Sequence, residues 1–422
     1  ENKSHKKSIG KIIYNILDLC VRLCYYSLRI VMEIQGVLSA LDGLAVRGMD
    51  FGLKRTRALL DGLSSPDEKL KIIHIAGSNG KGSVAEFISR ILIAAGKKTG
   101  VFTSPEVFGY FGQFRIDGQE LGEELFVKAF GDALRAGAGL NATRFETETA
   151  GALHAFALAG CEYAVVECGL GGLEDATNAI RKKEIAVITS ICLEHTAILG
   201  DKITDICRHK AGIIKNCPAV VSGCVSGAAR EYFEKLGVTF AEKSLSEGFE
   251  ITAVGEAQRY NAATAIAVAR ALKIDESAIY SGVKAAYPEG RLQKITTKSG
   301  VYILDGAHNP QAFKPLAEYI KSLGVKVKLV YGCLSDKDID GCLSQLSGLV
   351  SEAVAVKPDS PRAMDIREIA RACVSYFNKV KVKSGVADAL EYLKACGGDA
   401  PTVICGSFTL LKESLKRIEK GL

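Results

Sequence analysis

The stretch from Lys71 to Pro105, KIIHIAGSNGKGSVAEFISRILIAAGKKTGVFTSP, restricts the fold more than any other part of the chain. It opens with an apolar run through Ile72, Ile73 and Ile75, which predicts a short buried strand. Val84, Phe87, Ile88, Ile91, Leu92 and Ala95 then recur at helical spacing, and Gly96 predicts the stop. Thr99 to Phe102 reads as the next strand. Between strand and helix stand Gly77, Ser78, Asn79, Gly80, Lys81, Gly82 and Ser83. Glycines let backbone N–H groups turn toward an anion, the helix N-terminus adds partial positive charge, and a lysine neutralises phosphate. The spacing is not G-x-x-x-x-G-K-[ST], because Gly82 separates Lys81 from the hydroxyl of Ser83. A nucleotide-binding α/β domain is the expectation.

With 422 residues, the chain is long enough for two or three domains. Hydrophobic residues make up 48% and charged ones 24%, so there is ample core material and no signature of disorder. Most of the net charge of +6 lies in residues 1–31, where Lys3, Lys6, Lys7, Lys11, Arg22 and Arg29 face only Glu1 and Asp18. The rest is near neutral, which argues against a nucleic-acid surface. Thirteen cysteines without C-x-x-C pairs, several inside apolar runs, suit reduced thiols of a cytoplasmic protein better than disulfides. Charges interrupt Ile12 to Val31 too often for a membrane span. Residues 1–31 read as an extension foreign to the rest, a short amphipathic anchor or presequence being the alternative.

Further along, Met32 to Leu63 predicts two helices joined through Gly48–Gly52, and Glu106 to Gly118 predicts a loop. A helix is expected over Thr149–Ala159, and a strand at Tyr163–Val166 that ends on Glu167. Another is expected at Ile185–Ile191, leading to Glu194-His195-Thr196. Ser104, Glu167 and His195 then stand at three strand tips, where an open α/β sheet receives its ligand. A hydroxyl, a carboxylate and an imidazole beside a phosphate loop could hold Mg²⁺ with positions left for phosphate oxygens. Tyr287-Pro288-Glu289-Gly290-Arg291 has the punctuation of a domain boundary, giving domains over 32–290 and 291–422. The second alternates strands and helices as a smaller Rossmann-like parallel sheet, without a Gly-x-Gly-x-x-Gly fingerprint.

GSNGKGS followed by TSP, then CGLGGLEDATN, EHT, RHKAGIIK, GEAQRYNAA, PEGR and DGAHNP, resembles the Mur ligases. More narrowly it is similar to the folylpolyglutamate synthases and dihydrofolate synthases, from Met32 to the C-terminus. The resemblance implies an ATP-dependent ligase that joins L-glutamate to dihydropteroate or a reduced folate, acting as a monomer without nucleic acid or membrane. It implies that residues Gly77 to Ser83, Gln258, Asn261, Arg291 and Asp305 hold ATP. Ser104, Glu167, His195 and Lys210 would be the metal ligands, Lys210 as a carbamate. Phe145, Asp175 and Ala176 would face the folate, and His308 and Ser407 the glutamate; Lys81, Lys210 and His308 would be catalytic. The chain departs from the family pattern at Glu106, Phe111-Gly112-Gln113, Leu173, Glu174, His209 and Ala257, and PEGR carries one residue more than the family's P-G-R. The departures at 106–113, Leu173 and Ala257 keep open a decayed paralogue that acts as a nucleotide-binding regulator; a peptidoglycan Mur-type ligase is the rival within the class, disfavoured because GLGGLEDATN and EHTAILGDKITDICRHKAGIIK fit the folate branch.

Overall fold

The structure, a computed structural model, describes residues 30–45, 52–105 and 109–420. The first 29 residues, most of the 48–52 join and Glu106 therefore lie outside the described residues. Two sheets form in chain order. The first holds β1 (Lys71–Ala76), β2 (Thr99–Phe102), β3 (Phe114–Ile116), β4 (Gln119–Glu120), β5 (Tyr163–Glu167), β6 (Ile185–Ile188), β7 (Ala219–Ser222) and β8 (Thr239–Ala241). Its order is β4-β3-β2-β5-β1-β6-β7-β8, so β1 lies near the centre between β5 and β6. The second holds β9 (Gln293–Thr297), β10 (Gly300–Leu304), β11 (Val327–Tyr331), β12 (Val350–Ala355), β13 (Val380–Val382) and β14 (Thr402–Cys405), in the order β13-β12-β11-β14-β10-β9.

Side chains alternate across a strand, so each sheet buries both faces under helices. On one face of the first sheet Ile72, Phe102, Phe114 and Val166 pack with helices Lys54–Gly62, Glu123–Ala136 and Arg144–Leu158. On the other, Ile73, Ile75, Val101 and Val165 meet helices Lys81–Ala94, Glu256–Ala271 and Glu276–Ala285. The second sheet repeats the plan, with Leu329 and Val403 on one side and Val330 and Ile404 on the other. Each buried Ile, Val or Phe stabilises the fold by about 1.5–3 kcal/mol before entropy is counted.

Four expectations need correction. Phe114–Ile116 is a strand, not part of a loop: it pairs antiparallel with β2, and Phe114 is fully buried against Phe102 and Phe130. Aromatic content there serves the core. The helix expected from Thr149 begins at Arg144, because Thr143 and Glu146 form a reciprocal capping box. The second sheet is mixed, since β9 pairs antiparallel with β10 across a tight connection. Finally, β6 ends at Ile188, so His195 stands seven residues beyond the strand, at the first position before helix Thr196–Leu199.

Candidate active site

At the carboxyl end of β1 the chain turns into helix Lys81–Ala94 through two left-handed glycines, Gly77 (φ +152°) and Gly80 (φ +91°). A Cβ on Gly77 would lie 1.9 Å from Thr189 Oγ1, and one on Gly80 would lie 2.6 Å from Asn261 Oδ1. Only glycine fits either position. The loop is pinned from β6: Ser78 N donates to Ser190 O (2.8 Å), Asn79 N to Ser190 Oγ (2.9 Å), and Thr189 Oγ1 to Asn79 O (2.7 Å). Among the described residues no side chain caps the helix, so its first amides remain available to an anion. Lys81 Nζ donates to Gly77 O at 3.0 Å and stands 3.8 Å from Glu167 Oε1. Gln258 reaches Ser83 Oγ (3.4 Å) and accepts from Asn261 Nδ2 (3.0 Å), which draws these three residues together beside the loop.

Glu167 closes β5 and is buried. Burial pushes its pKa up to about 7, against the pull of Lys81, Arg291 and the Ser104 amide. Ser104 N lies 3.4 Å from Glu167 Oε2, and both residues line a cavity of ≈ 100 Å³ that Arg115, Glu289 and Arg291 also face. Lys81 also walls a smaller cavity of ≈ 20 Å³, together with Gly77, Gly169 to Gly171, Glu194, His195 and Lys210. Lys210 is 1% exposed, and its Nζ meets Glu194 Oε1 at 2.6 Å. Burial drives the lysine pKa down while Glu194 resists. For Glu194, burial opposes ionisation, but Lys210 and Lys81 outweigh it and hold the carboxyl below its usual range.

Among the described residues no three His, Cys, Asp or Glu side chains come close enough to enclose a metal ion. The four expected ligands fall into two pairs, Ser104 with Glu167 and His195 with Lys210, each in its own cavity. The first pair offers oxygen donors that suit a hard divalent cation whose shell phosphate completes. The second pair suits a cation only when the Lys210 ammonium, which would repel it, is converted to an anionic group.

The second sheet presents its own carboxyl ends to this loop. Asp305, beyond β10, accepts from Leu292 N (2.7 Å) and Ala307 N (2.9 Å). Burial raises its pKa, with Arg291 restraining the rise. The Arg291 guanidinium stacks 4.8 Å over the Phe408 ring. His308 Nδ1 lies 2.8 Å from Gly306 O, so Nδ1 carries the proton and Nε2 the lone pair. Burial pulls the His308 pKa down to about 4. Asn79 Nδ2 donates to Gln311 Oε1 (2.9 Å), and Asn309 Nδ2 to Asn79 Oδ1 (3.1 Å), so the tip of the phosphate loop joins the two halves.

Two expected contact residues have other partners here. Asp175 turns its carboxylate onto its own loop, accepting from Leu170 N (2.8 Å) and Thr177 N (3.0 Å). Ser407 caps helix Phe408–Glu419 through Thr409 N (3.3 Å). Phe145 packs against Gly169, where a Cβ would come within 2.6 Å of its ring, and Ala176 is buried. Reading the sequence missed Thr189, Ser190 and Glu194 as site residues. The adjacent hydroxyls directly after the β6 run were the available signal for the first two.

This arrangement, a phosphate loop on a central parallel strand facing a second α/β sheet across a hinge arginine, defines a nucleotide-dependent two-domain enzyme of the Mur ligase type. The family models agree: the Mur ligase middle domain matches residues 75–268, and the Mur ligase glutamate ligase domain matches 290–408. The Escherichia coli K12 dihydrofolate synthase/folylpolyglutamate synthase is 32% identical over 405 residues, covering 90% of this chain and 94% of its own. The structure of E. coli FolC in complex with DHPP and ADP superposes with a TM-score of 0.83 at 31% identity, covering 92% of this chain and 98% of that one. A bifunctional folylpolyglutamate synthase/dihydrofolate synthase with Mn, AMPPNP and L-glutamate bound gives 0.80 at 31% identity and the same coverage. The chain belongs to the dihydrofolate synthase/folylpolyglutamate synthase family of the Mur ligases, and is an ATP-dependent ligase.

Proposed function

We propose that this chain joins the amine of L-glutamate to a carboxyl of dihydropteroate, a reduced folate or both, in the cytoplasm and as a monomer. The domains meet at residues 290 and 291. The carboxylate oxygen attacks the γ-phosphorus of ATP and ADP leaves. The glutamate nitrogen then attacks the carbonyl carbon of the acyl phosphate, and phosphate leaves. Lys81 and the first amides of helix Lys81–Ala94 hold the phosphates, and Arg291 and Asp305 hold the nucleotide from the hinge side, with Gln258 and Asn261 at its base or ribose. Ser104 and Glu167, with His195 and a carbamylated Lys210, would bind Mg²⁺, which when bound spreads phosphoryl charge. Phe145 with the Gly169–Ala176 loop faces the acid. His308, whose Nε2 lone pair is free at neutral pH, works on the glutamate side with Ser407.

The observation that carries this reading is the junction itself. Asn79 of the phosphate loop bonds Asn309 and Gln311 of the other half, so a nucleotide bound there is shared between both. Closure would keep water from the acyl phosphate. The test is ADP release with dihydropteroate and with tetrahydrofolate, each with and without L-glutamate. Release should need both substrates. Release independent of both would return the nucleotide-binding regulator.

A further inference from the structure

Behind the Gly169–Asp175 loop, on the sheet face away from helix Lys81–Ala94, runs a chain of buried polar groups of which only Asp175 has a part in the chemistry above. His74 is fully buried in β1. Its Nε2 lies 2.7 Å from Thr177 Oγ1 and 3.1 Å from Cys168 Sγ, while Nδ1 has no partner among the described residues. Thr177 Oγ1 in turn lies 2.5 Å from Asp175 Oδ1, and Asp175 Oδ2 accepts from Leu170 N at 2.8 Å. A carboxylate only accepts, so the single hydroxyl proton of Thr177 points to Asp175. The hydroxyl oxygen must then accept from His74, which assigns His74 the Nε2–H tautomer. The chain of donors runs one way: His74 to Thr177 to Asp175, whose far oxygen holds the Leu170 amide.

Leu170 is where this becomes functional. With Gly169 and Gly171 it walls the cavity that holds Lys210 and His195, and Gly169 backs onto Phe145. Fixing Leu170 therefore fixes the surface between the phosphate end of the site and Phe145. We propose that His74 is a positioning residue for the acid substrate, acting through Thr177 and Asp175 to set the shape of the Gly169–Asp175 loop. The ATP loop should feel it far less, although Gly77 and Lys81 line that same cavity, because the backbone of β1 is held independently by its ladders to β5 and β6. The proposal rests on the ligase reading for the identity of that acid.

Three variants test it: His74→Leu removes the donor, His74→Gln supplies an N–H close to the Nε2 position, and Thr177→Val breaks the next link. His74→Leu and Thr177→Val should each raise KM for the folate acid about tenfold, the scale of one lost buried hydrogen bond, with KM for ATP and kcat nearly unchanged. The double variant should be no worse than either alone, and His74→Gln should restore most of the loss. Parent-like KM in His74→Leu would overturn the proposal. So would equal losses for both substrates with a lowered melting temperature that His74→Gln fails to recover, the mark of a packing role only. Hydrogen exchange at the Leu170 amide reads the loop without turnover: at least tenfold faster exchange in His74→Leu supports the relay, and unchanged exchange refutes it. A parent that never ligates but shows the exchange effect would count against the ligase reading and leave the relay standing.

Discussion

Two lysines face the same cavity with opposite demands on them. Lys81 sits at the mouth of the phosphate loop, 17% exposed, where a permanent positive charge can meet phosphate. Lys210 is sealed from solvent, and burial favours its neutral form, the only form that reacts with CO₂. Lys210→Arg should therefore lose most activity, because a guanidinium keeps its charge beside the proposed metal ligands. ¹³C NMR under labelled CO₂ should show a carbamate signal in the parent that the variant lacks. An arginine variant as active as the parent would remove the carbamate from the mechanism. His308 predicts a pH effect. Its folded pKa of about 4 lies below the ordinary histidine value of about 6.5. Above pH 6.5 both folded and unfolded chains hold it neutral. Between 6.5 and 4 only the unfolded chain gains the proton, so stability falls as pH falls through that window. The melting temperature of His308→Asn should decline less than the parent's across the same range.

Among the elements, the Gly77–Gly80 turn has the least freedom. Gly77 combines a backbone angle of +152° with Thr189 Oγ1 where its Cβ would go, and that same hydroxyl pins Asn79. Gly77→Ala should displace the loop and abolish ATP binding by calorimetry. Gly82→Ala is the control, since a helical Cβ there meets nothing closer than 3.5 Å. It should melt at the parent temperature or above, by up to about 1 kcal/mol of stability. This turn was legible because glycine spacing reports local geometry. The β3 strand was not, since nothing local to Phe114 says that Phe102 and Phe130 await it. The start of the helix at Arg144 is a different case: the Thr143–Glu146 box that sets it is a local signal, written in four consecutive residues.

For the whole molecule, the question is how two separately cored sheets are held in register. Asn79, Asn309 and Gln311 supply polar contacts at the loop tip, and Arg291 and Leu292 form the connection. Leu292 occupies the left-handed region (φ +47°) although it is not glycine, and its amide is tied to Asp305. Asn309 also caps helix Pro310–Ser322 through Ala312 N, so replacing it would disturb two features at once. Gln311→Ala removes only the bridge. It should leave melting unchanged and raise KM for ATP several-fold, as expected when one exposed hydrogen bond to the closed arrangement is lost. An unaltered KM would mean that Asn309 and the hinge suffice to hold the halves together.

The sequence by itself determined the phosphate loop, the alternation that builds two α/β sheets, the strand-end carboxylate Glu167 and the family. Each is written in short-range spacing, and short-range spacing decides backbone geometry. Tertiary structure alone decided which polar groups meet. It paired Lys210 with Glu194, turned Asp175 inward onto its own loop, and split the expected metal ligands between two cavities. It also linked His74 to Thr177 across 103 positions of chain. The physical reason is that a buried donor or acceptor must find a partner wherever packing brings one, and packing is a property of the whole fold.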